Sequence, residues 1–168
     1  MIGSGPFTTQ YINKIDERRL TRLCKEEKHL FTETLKALET ADGNKDPLMT
    51  LLGQMVHKTD NYDLVDYDIS GTDLPTDGLM YNRIWSEAAR LRKDGTLYKS
   101  LFKIKCPVTV MHGEFDPHPV EGVTEPLIEV GLQPEIHIFS KCGHEPFKER
   151  YAVNEFYNIL NEIFIKHI

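Results

Sequence analysis

Apolar and polar positions follow two different rhythms along this chain, and the change falls near residue 104. Before that point, apolar residues recur every three or four positions among charged residues, which predicts amphipathic helices. Pro47 suits the first position of a helix because its missing N–H needs no partner there. The predicted helices are residues 16–39 with a break near Cys24, about 47–57, about 79–92, and 98–102. The first two thirds of the chain are therefore expected to be helical.

After Pro107 the rhythm changes to short β-branched runs. Residues 108–112 and 135–140 are predicted strands, and the segments 121–130 and 152–166 are predicted helices. A strand, a helix, a strand and a helix in succession predict two parallel strands joined by a crossover helix. The predicted fold class is α/β, with a helical region followed by a β-α-β-α unit that contains a parallel strand pair.

Composition excludes several classes of function. The 168 residues are 40% hydrophobic, enough for a buried core, and the net charge of −6 has no basic stripe, so no nucleic-acid partner is expected. No run of eighteen apolar residues and no signal peptide is present, which predicts no membrane association. Three widely spaced cysteines favour a reducing compartment. We expect a cytoplasmic protein with no cofactor and no resident metal.

Two candidate catalytic residues follow the two predicted strands. Asp116 comes shortly after the first strand and His144 shortly after the second, each in a loop. An aspartate can orient an imidazole, and the imidazole can then take a proton from a hydroxyl nucleophile. The nucleophile itself is missing, since no serine or cysteine stands in a Gly-x-Ser-x-Gly turn. The pair is thus an incomplete catalytic triad.

The segments around both residues resemble a known family. Residues 106–119, CPVTVMHGEFDPHP, and residues 141–150, KCGHEPFKER, are similar to the last third of α/β-hydrolase-fold enzymes. Within that family they most resemble proline-iminopeptidase-like members. The resemblance implies that Asp116 is the triad acid and His144 the base. It also implies three regions: a stub of a core strand with its exit loop (1–9), a helical cap or lid (10–104), and the C-terminal part of a partial α/β-hydrolase core (105–168).

The resemblance predicts a serine hydrolase of ester or amide bonds whose nucleophile-bearing N-terminal half is lacking in this chain. We expect the chain alone to be inactive. The alternative is a non-catalytic, truncated hydrolase that acts as a small-ligand or protein-binding module. A strand at residues 108–112 beside a mere stub would offer an open edge, which predicts a homo-oligomer or a complementing N-terminal half as partner. A small-molecule ester or amide would be the substrate once the site is complemented.

Other interpretations of single residues stay open at this point. Ser4 lies between two glycines but lacks the preceding strand that a nucleophile turn needs. Asp116 could be a plain turn residue, His144 a loop histidine bonded to backbone, and Cys142 a structural thiol. Four residues at alternate positions of the segment 106–119 could hold a metal: His112, Glu114, Asp116 and His118. The acidic loop, Asp63, Asp66, Asp68, Asp73 and Asp77, could hold an amino group, but a solvated loop is favoured. Helix core is expected for Trp85, although it and Tyr62, Tyr67 and Tyr81 could line the lid.

Overall fold

A computed structural model describes residues 1–40, 43–65 and 77–167. Its elements follow the predicted order closely. The helices are α1 (Ile12–Thr21), α2 (Lys25–Thr40), α3 (Asp46–Asp60), α4 (Gly78–Lys93), α5 (Thr96–Ser100), α6 (Glu121–Glu129) and α7 (Val153–His167), and the strands are β1 (Thr109–Gly113) and β2 (Glu135–Phe139). The predicted break near Cys24 is confirmed, because it separates α1 from α2. Asp66, Tyr67, Asp68 and Asp73 lie outside the described residues.

The two strands form a parallel sheet, as the sequence predicts. Thr109 of β1 stands opposite Glu135 of β2, and the register continues to Gly113 opposite Phe139. The coarse fold class, mixed α/β with a two-stranded parallel sheet, is thereby confirmed.

The outer edge of β1 is occupied, contrary to the expected open edge. Ile2 pairs in parallel with Met111, and the Met111 N–H donates to the Met1 carbonyl at 2.8 Å. The Gly3 N–H in turn donates to the Met111 carbonyl at 3.1 Å. Along β1, the backbone groups that face this edge belong to alternate residues. Residues 1–3 can therefore bond to most of these groups, although the segment is short. Within the described part of the chain, no strand pairs with the outer edge of β2.

Three apolar clusters stabilise the structure. One lies between α2 and α3 and is independent of the sheet; its buried members are Leu23, Phe31, Met49, Leu52 and Met55. The other two cover the two faces of the sheet: Met111 and Phe139 pack with Phe156 of α7, and Val110 packs with Val123 and Leu127 of α6. The amphipathic helices therefore bury their apolar faces in two separate places, a helical hairpin and a covered sheet.

The sequence also predicts that no segment spans a membrane, and for the helices this can be examined in the structure. Among the described residues, no helix combines the length and the apolar character needed to cross a membrane.

Candidate active site

Asp116 lies at the centre of the candidate site. It follows β1 in a tight turn, in which its own N–H donates to the Gly113 carbonyl at 3.1 Å. The residue is only 1% exposed. Arg18 of α1 donates to the Asp116 carbonyl at 3.3 Å, so the first helix also contacts this turn. A buried carboxylate is costly unless it is paired, and the partners of Asp116 define the site.

Both carboxylate oxygens of Asp116 bind imidazoles. Oδ2 is 2.8 Å from Nδ1 of His144, and Oδ1 is 2.7 Å from Nδ1 of His118. Oδ1 also accepts the backbone N–H of His118 at 2.9 Å. The structure therefore brings Asp116 and His144 together in the acid–base contact that the sequence predicts. His118 is a second partner that the sequence reasoning considered only as a metal ligand.

The charges of this group are coupled. Burial by itself would raise the pKa of Asp116, but the hydrogen bonds from His118 and His144 hold it well below its usual range. Burial likewise would lower the pKa of His144, yet the hydrogen bond and charge of Asp116, with Asp60 and Glu145 farther away, raise it above its ordinary value. An ionised Asp116 beside a basic imidazole is the electrostatic condition for proton abstraction by His144.

The two site loops are held at close range by backbone contacts. The N–H of Phe115 donates to the Cys142 carbonyl at 2.8 Å, and the N–H of Glu114 donates to the Phe139 carbonyl at 2.9 Å. A Cβ atom at Gly113 would lie 2.1 Å from the Gly143 carbonyl oxygen, so a side chain there would push the loops apart. The glycine thus permits the spacing at which Asp116 reaches His144.

Glu149 fixes the His144 loop and was misjudged from the sequence. A glutamate that lies near a helix start in the sequence is typical of a solvated or capping charge, but Glu149 is 0% exposed. Its carboxylate accepts three backbone N–H groups: those of Gly143 at 2.9 Å, Tyr62 at 2.8 Å and Asp63 at 2.7 Å. It thereby joins the His144 loop to the segment that leaves α3. No pattern in the sequence distinguishes it from Glu145, which pairs with Lys148 on the surface.

Asp60 at the end of α3 is a further residue that the sequence did not single out. Its backbone carbonyl accepts the N–H of His144 at 2.8 Å. Its carboxylate receives a two-pronged bond from Arg19, with Nε at 2.9 Å and Nη2 at 2.6 Å. The helical region therefore contributes directly to the position of the candidate base.

The metal interpretation takes a different form from the one expected. Glu114 is absent from the cluster that gathers around Asp116, and His112 directs its Nε2 to the His118 carbonyl at 2.8 Å. The donors that do converge are Asp116, His118 and His144, whose ligand atoms lie within 4.8 Å of one another. This set could hold a metal ion, but both carboxylate oxygens already bind imidazole nitrogens, so hydrogen bonding accounts for the cluster as it stands.

A cavity of about 450 Å³ opens in front of His144, between the site loops and the helices α1, α3 and α4. His118 and His144 line one side. The apolar side chains of α1, α3 and α4 line the other, among them Ile12, Ile15, Val56, Tyr81 and Trp85. Helix core was expected for Trp85, but the residue is 50% exposed and faces this cavity, because α4 has few neighbours beyond α3 and α5. Cavities of this size hold small organic ligands.

The remaining candidates are placed away from the chemistry. Asp63 pairs with Arg150 at 3.1 Å, and Asp77 caps α4 by accepting the Met80 N–H at 2.8 Å, so neither lines the cavity. Tyr62 packs edge-on against Phe115, with ring centroids 5.3 Å apart. Burial raises the pKa of Cys142 to about 12, which is consistent with a structural thiol and not with a nucleophile at neutral pH.

Ser4 lies close to the site without bonding to it. Its neighbour Gly3 is pressed against His144, where a Cβ atom would lie 2.3 Å from the His144 carbonyl oxygen. Among the described residues, no hydroxyl or thiol forms a hydrogen bond with the His144 ring.

Comparison of the chain with models of protein families, with curated proteins and with solved structures finds no match in any of the three.

Proposed function

We propose that this chain carries the acid and base of a serine-hydrolase site of the α/β-hydrolase type, acting on ester or amide bonds. Asp116 is the acid and His144 the base. The single observation that supports this most strongly is the 2.8 Å contact between the buried Asp116 Oδ2 and Nδ1 of His144, at the ends of two adjacent parallel strands. In such sheets, functional groups gather beyond the carboxyl ends of the strands.

The proposed chemistry uses the two nitrogens of His144 separately. Asp116 accepts a hydrogen bond from Nδ1–H, which keeps the ring proton on Nδ1 and leaves a lone pair on Nε2. His144 is 35% exposed at its side chain and lines the cavity, so that lone pair is accessible to a reactant. A hydroxyl nucleophile would lose its proton to Nε2 as it attacks the carbonyl, and His144 would then return the proton to the leaving group. Water would hydrolyse the acyl intermediate by the same route.

The nucleophile and the oxyanion hole are proposed to come from outside this chain. Neither the Gly3-Ser4-Gly5 segment nor any other described serine or cysteine bonds to His144. A homo-oligomer or a complementing N-terminal half would supply them, and the small-molecule ester or amide would then bind between cap and core. The chain by itself would have only an imidazole that can activate water, which gives slow turnover at best.

Hydrolysis of p-nitrophenyl acetate by the purified chain tests the role of His144, because this ester is reactive enough for an imidazole alone. We expect a slow rate above buffer that falls about tenfold or more in His144→Ala, since general-base catalysis contributes at least this much. His29, exposed on α2, provides the matched control, and His29→Ala should keep the rate. A rate above buffer that is unchanged in His144→Ala would contradict the proposal.

A fluorophosphonate probe tests where the nucleophile is. We expect no labelling of this chain alone. Labelling that disappears in Ser4→Ala would show that Ser4 is the nucleophile and that the chain needs no partner.

The alternative function, a non-catalytic module that binds a ligand or a protein, is favoured by a second groove. It lies at the sheet edge, has a volume of about 440 Å³, and is lined by residues such as Ile2, Met111, Leu160 and Ile163. Light scattering during size-exclusion chromatography tests the partner. A monodisperse monomer with no co-purifying chain would contradict both the homo-oligomer and the complementing half.

A further inference from the structure

Two arginines line the cavity in front of His144, and they differ in whether carboxylates pair with them. Arg19 of α1 is neutralised, because Asp60 accepts two of its N–H groups and Asp16 lies 3.5 Å away. Arg92, near the end of α4, donates its Nε–H to the Pro6 carbonyl at 2.7 Å. Among the described residues, no carboxylate lies within ion-pair distance of Arg92. Asp16 and Asp60, which also line the cavity, are thus both paired with Arg19, and Arg92 is the lining arginine that has no carboxylate partner among the described residues.

The surroundings of Arg92 favour an anionic ligand. Its side chain is half-buried, and this burial lowers the pKa of the guanidinium, which nevertheless stays charged at neutral pH. A partly desolvated cation without a counter-ion gains more from an incoming anion than an exposed one does. The bond to Pro6 uses Nε and leaves the two terminal nitrogens. Their parallel N–H groups match the two oxygens of a carboxylate.

The rest of α4 supplies an apolar surface beside this cation. Tyr81, Trp85 and Ala89 line the same cavity as Arg92, at the spacing that puts residues on one face of a helix. The rings of Tyr81 and Trp85 lie 5.6 Å apart and form a continuous aromatic surface. The helix thus presents aromatic rings, then a small residue, then a cation, along one line.

We propose that this cavity binds a carboxylate-bearing ligand with an apolar body, the carboxylate pairing with Arg92 and the body lying on Tyr81 and Trp85. The cavity also contains His144, so the substrate class becomes anionic esters or amides; this last step rests on the proposed hydrolase function.

Binding of two probes tests the proposal without any turnover. 4-Phenylbutyrate carries the carboxylate and the ring, and 4-phenylbutyramide is its neutral counterpart of the same shape. Calorimetry or NMR titration of the full chain should show the carboxylate binding about tenfold or more tightly, the effect of a charge-assisted two-pronged bond. Equal affinities, a preference for the amide, or no binding by either probe would overturn the proposal.

Variants on the same helix locate the effect. Arg92→Gln should remove the preference for the carboxylate, whereas Arg90→Gln should keep it, because Arg90 is exposed and already paired with Glu87 and Asp94. If Arg92→Gln does not fold, Arg92→Lys keeps the charge and loses the fork, and it should bind the carboxylate more weakly than wild type while still preferring it. A full preference in Arg92→Gln, or unchanged affinity in Arg92→Lys, would overturn the assignment.

The two proposals fail separately. The catalytic role is read from hydrolysis in His144→Ala, whereas the anion site is read from the affinities of the two probes for the wild type and for Arg92→Gln. Loss of His144-dependent hydrolysis would therefore remove the catalytic role and leave the anion site, while equal affinity for both probes would remove the anion site and leave the base.

Discussion

The α2–α3 hairpin and the two site loops are stabilised by opposite means. In the hairpin, apolar side chains such as Phe31 and Leu52 are buried among others of their kind, in a cluster separate from the sheet. In the loops, the deeply buried groups include two carboxylates, Asp116 and Glu149. Their burial is tolerated only because hydrogen-bond donors surround them. Apolar packing is non-directional and tolerates small adjustments, while a buried charge needs every partner in place. The loops therefore have one permitted arrangement, and a catalytic pair requires that.

Glu149→Ala should break the loop arrangement with the largest cost. The change leaves three backbone N–H groups without an acceptor, and we expect a loss of about 4 kcal/mol in the free energy of unfolding. Urea denaturation measures it. Glu162→Ala, at an exposed position of α7, serves as the control and should change stability by less than about 0.5 kcal/mol. Similar values for both variants would mean that the carboxylate does not hold the loops.

Leu52→Ala should have a smaller effect, confined to the hairpin. The substitution removes buried methyl groups and leaves a cavity, so we expect a loss of about 2–3 kcal/mol in the free energy of unfolding. Because this cluster is separate from the sheet, the contact between Asp116 and His144 should survive. An unchanged pKa of His144 in this variant, read by NMR, checks the separation, and a shifted one would show that hairpin and loops are coupled.

Asp116→Asn should change the site more than the fold. Without the carboxylate charge, burial dominates and the pKa of His144 should fall below its value in the wild type, as an NMR titration of the imidazole would show. His118→Gln, which removes the other imidazole, is the matched variant. In it the pKa of His144 should stay higher than the pKa of His144 in Asp116→Asn. An unshifted His144 in Asp116→Asn would mean that the 2.8 Å contact has no electrostatic effect.

The same pair predicts how stability depends on pH. Asp116 has a depressed pKa, so its contribution is present above the unfolded value of 3.8 and is lost as the pH falls below it. His144 has a raised pKa, so its contribution is present below the unfolded value of 6.5 and is lost as the pH rises through the folded one. The destabilisation caused by Asp116→Asn in urea denaturation should therefore be greatest between 3.8 and 6.5 and should shrink above that window.

The sequence by itself determined the order and type of the elements. Helix and strand periods are local properties, so residues 16–39, 79–92 and the β-α-β-α unit were predicted within a few positions of their observed bounds. It also determined where Asp116 and His144 stand, because each follows a strand whose carboxyl end faces the same edge of a parallel sheet.

Only the tertiary structure decided which polar residues matter around that pair. The burial of Glu149, the second imidazole of His118, the backbone bond from His144 to Asp60, and the exposure of Trp85 all depend on which segments meet in space. Glutamates 145 and 149 look alike along the chain. They differ because Glu145 is partly exposed and pairs with Lys148, while Glu149 accepts the N–H of nearby Gly143 and two more from the distant residues Tyr62 and Asp63. Periodicity is written into neighbouring residues, whereas the pairing of buried charges is settled by contacts between residues far apart in the chain.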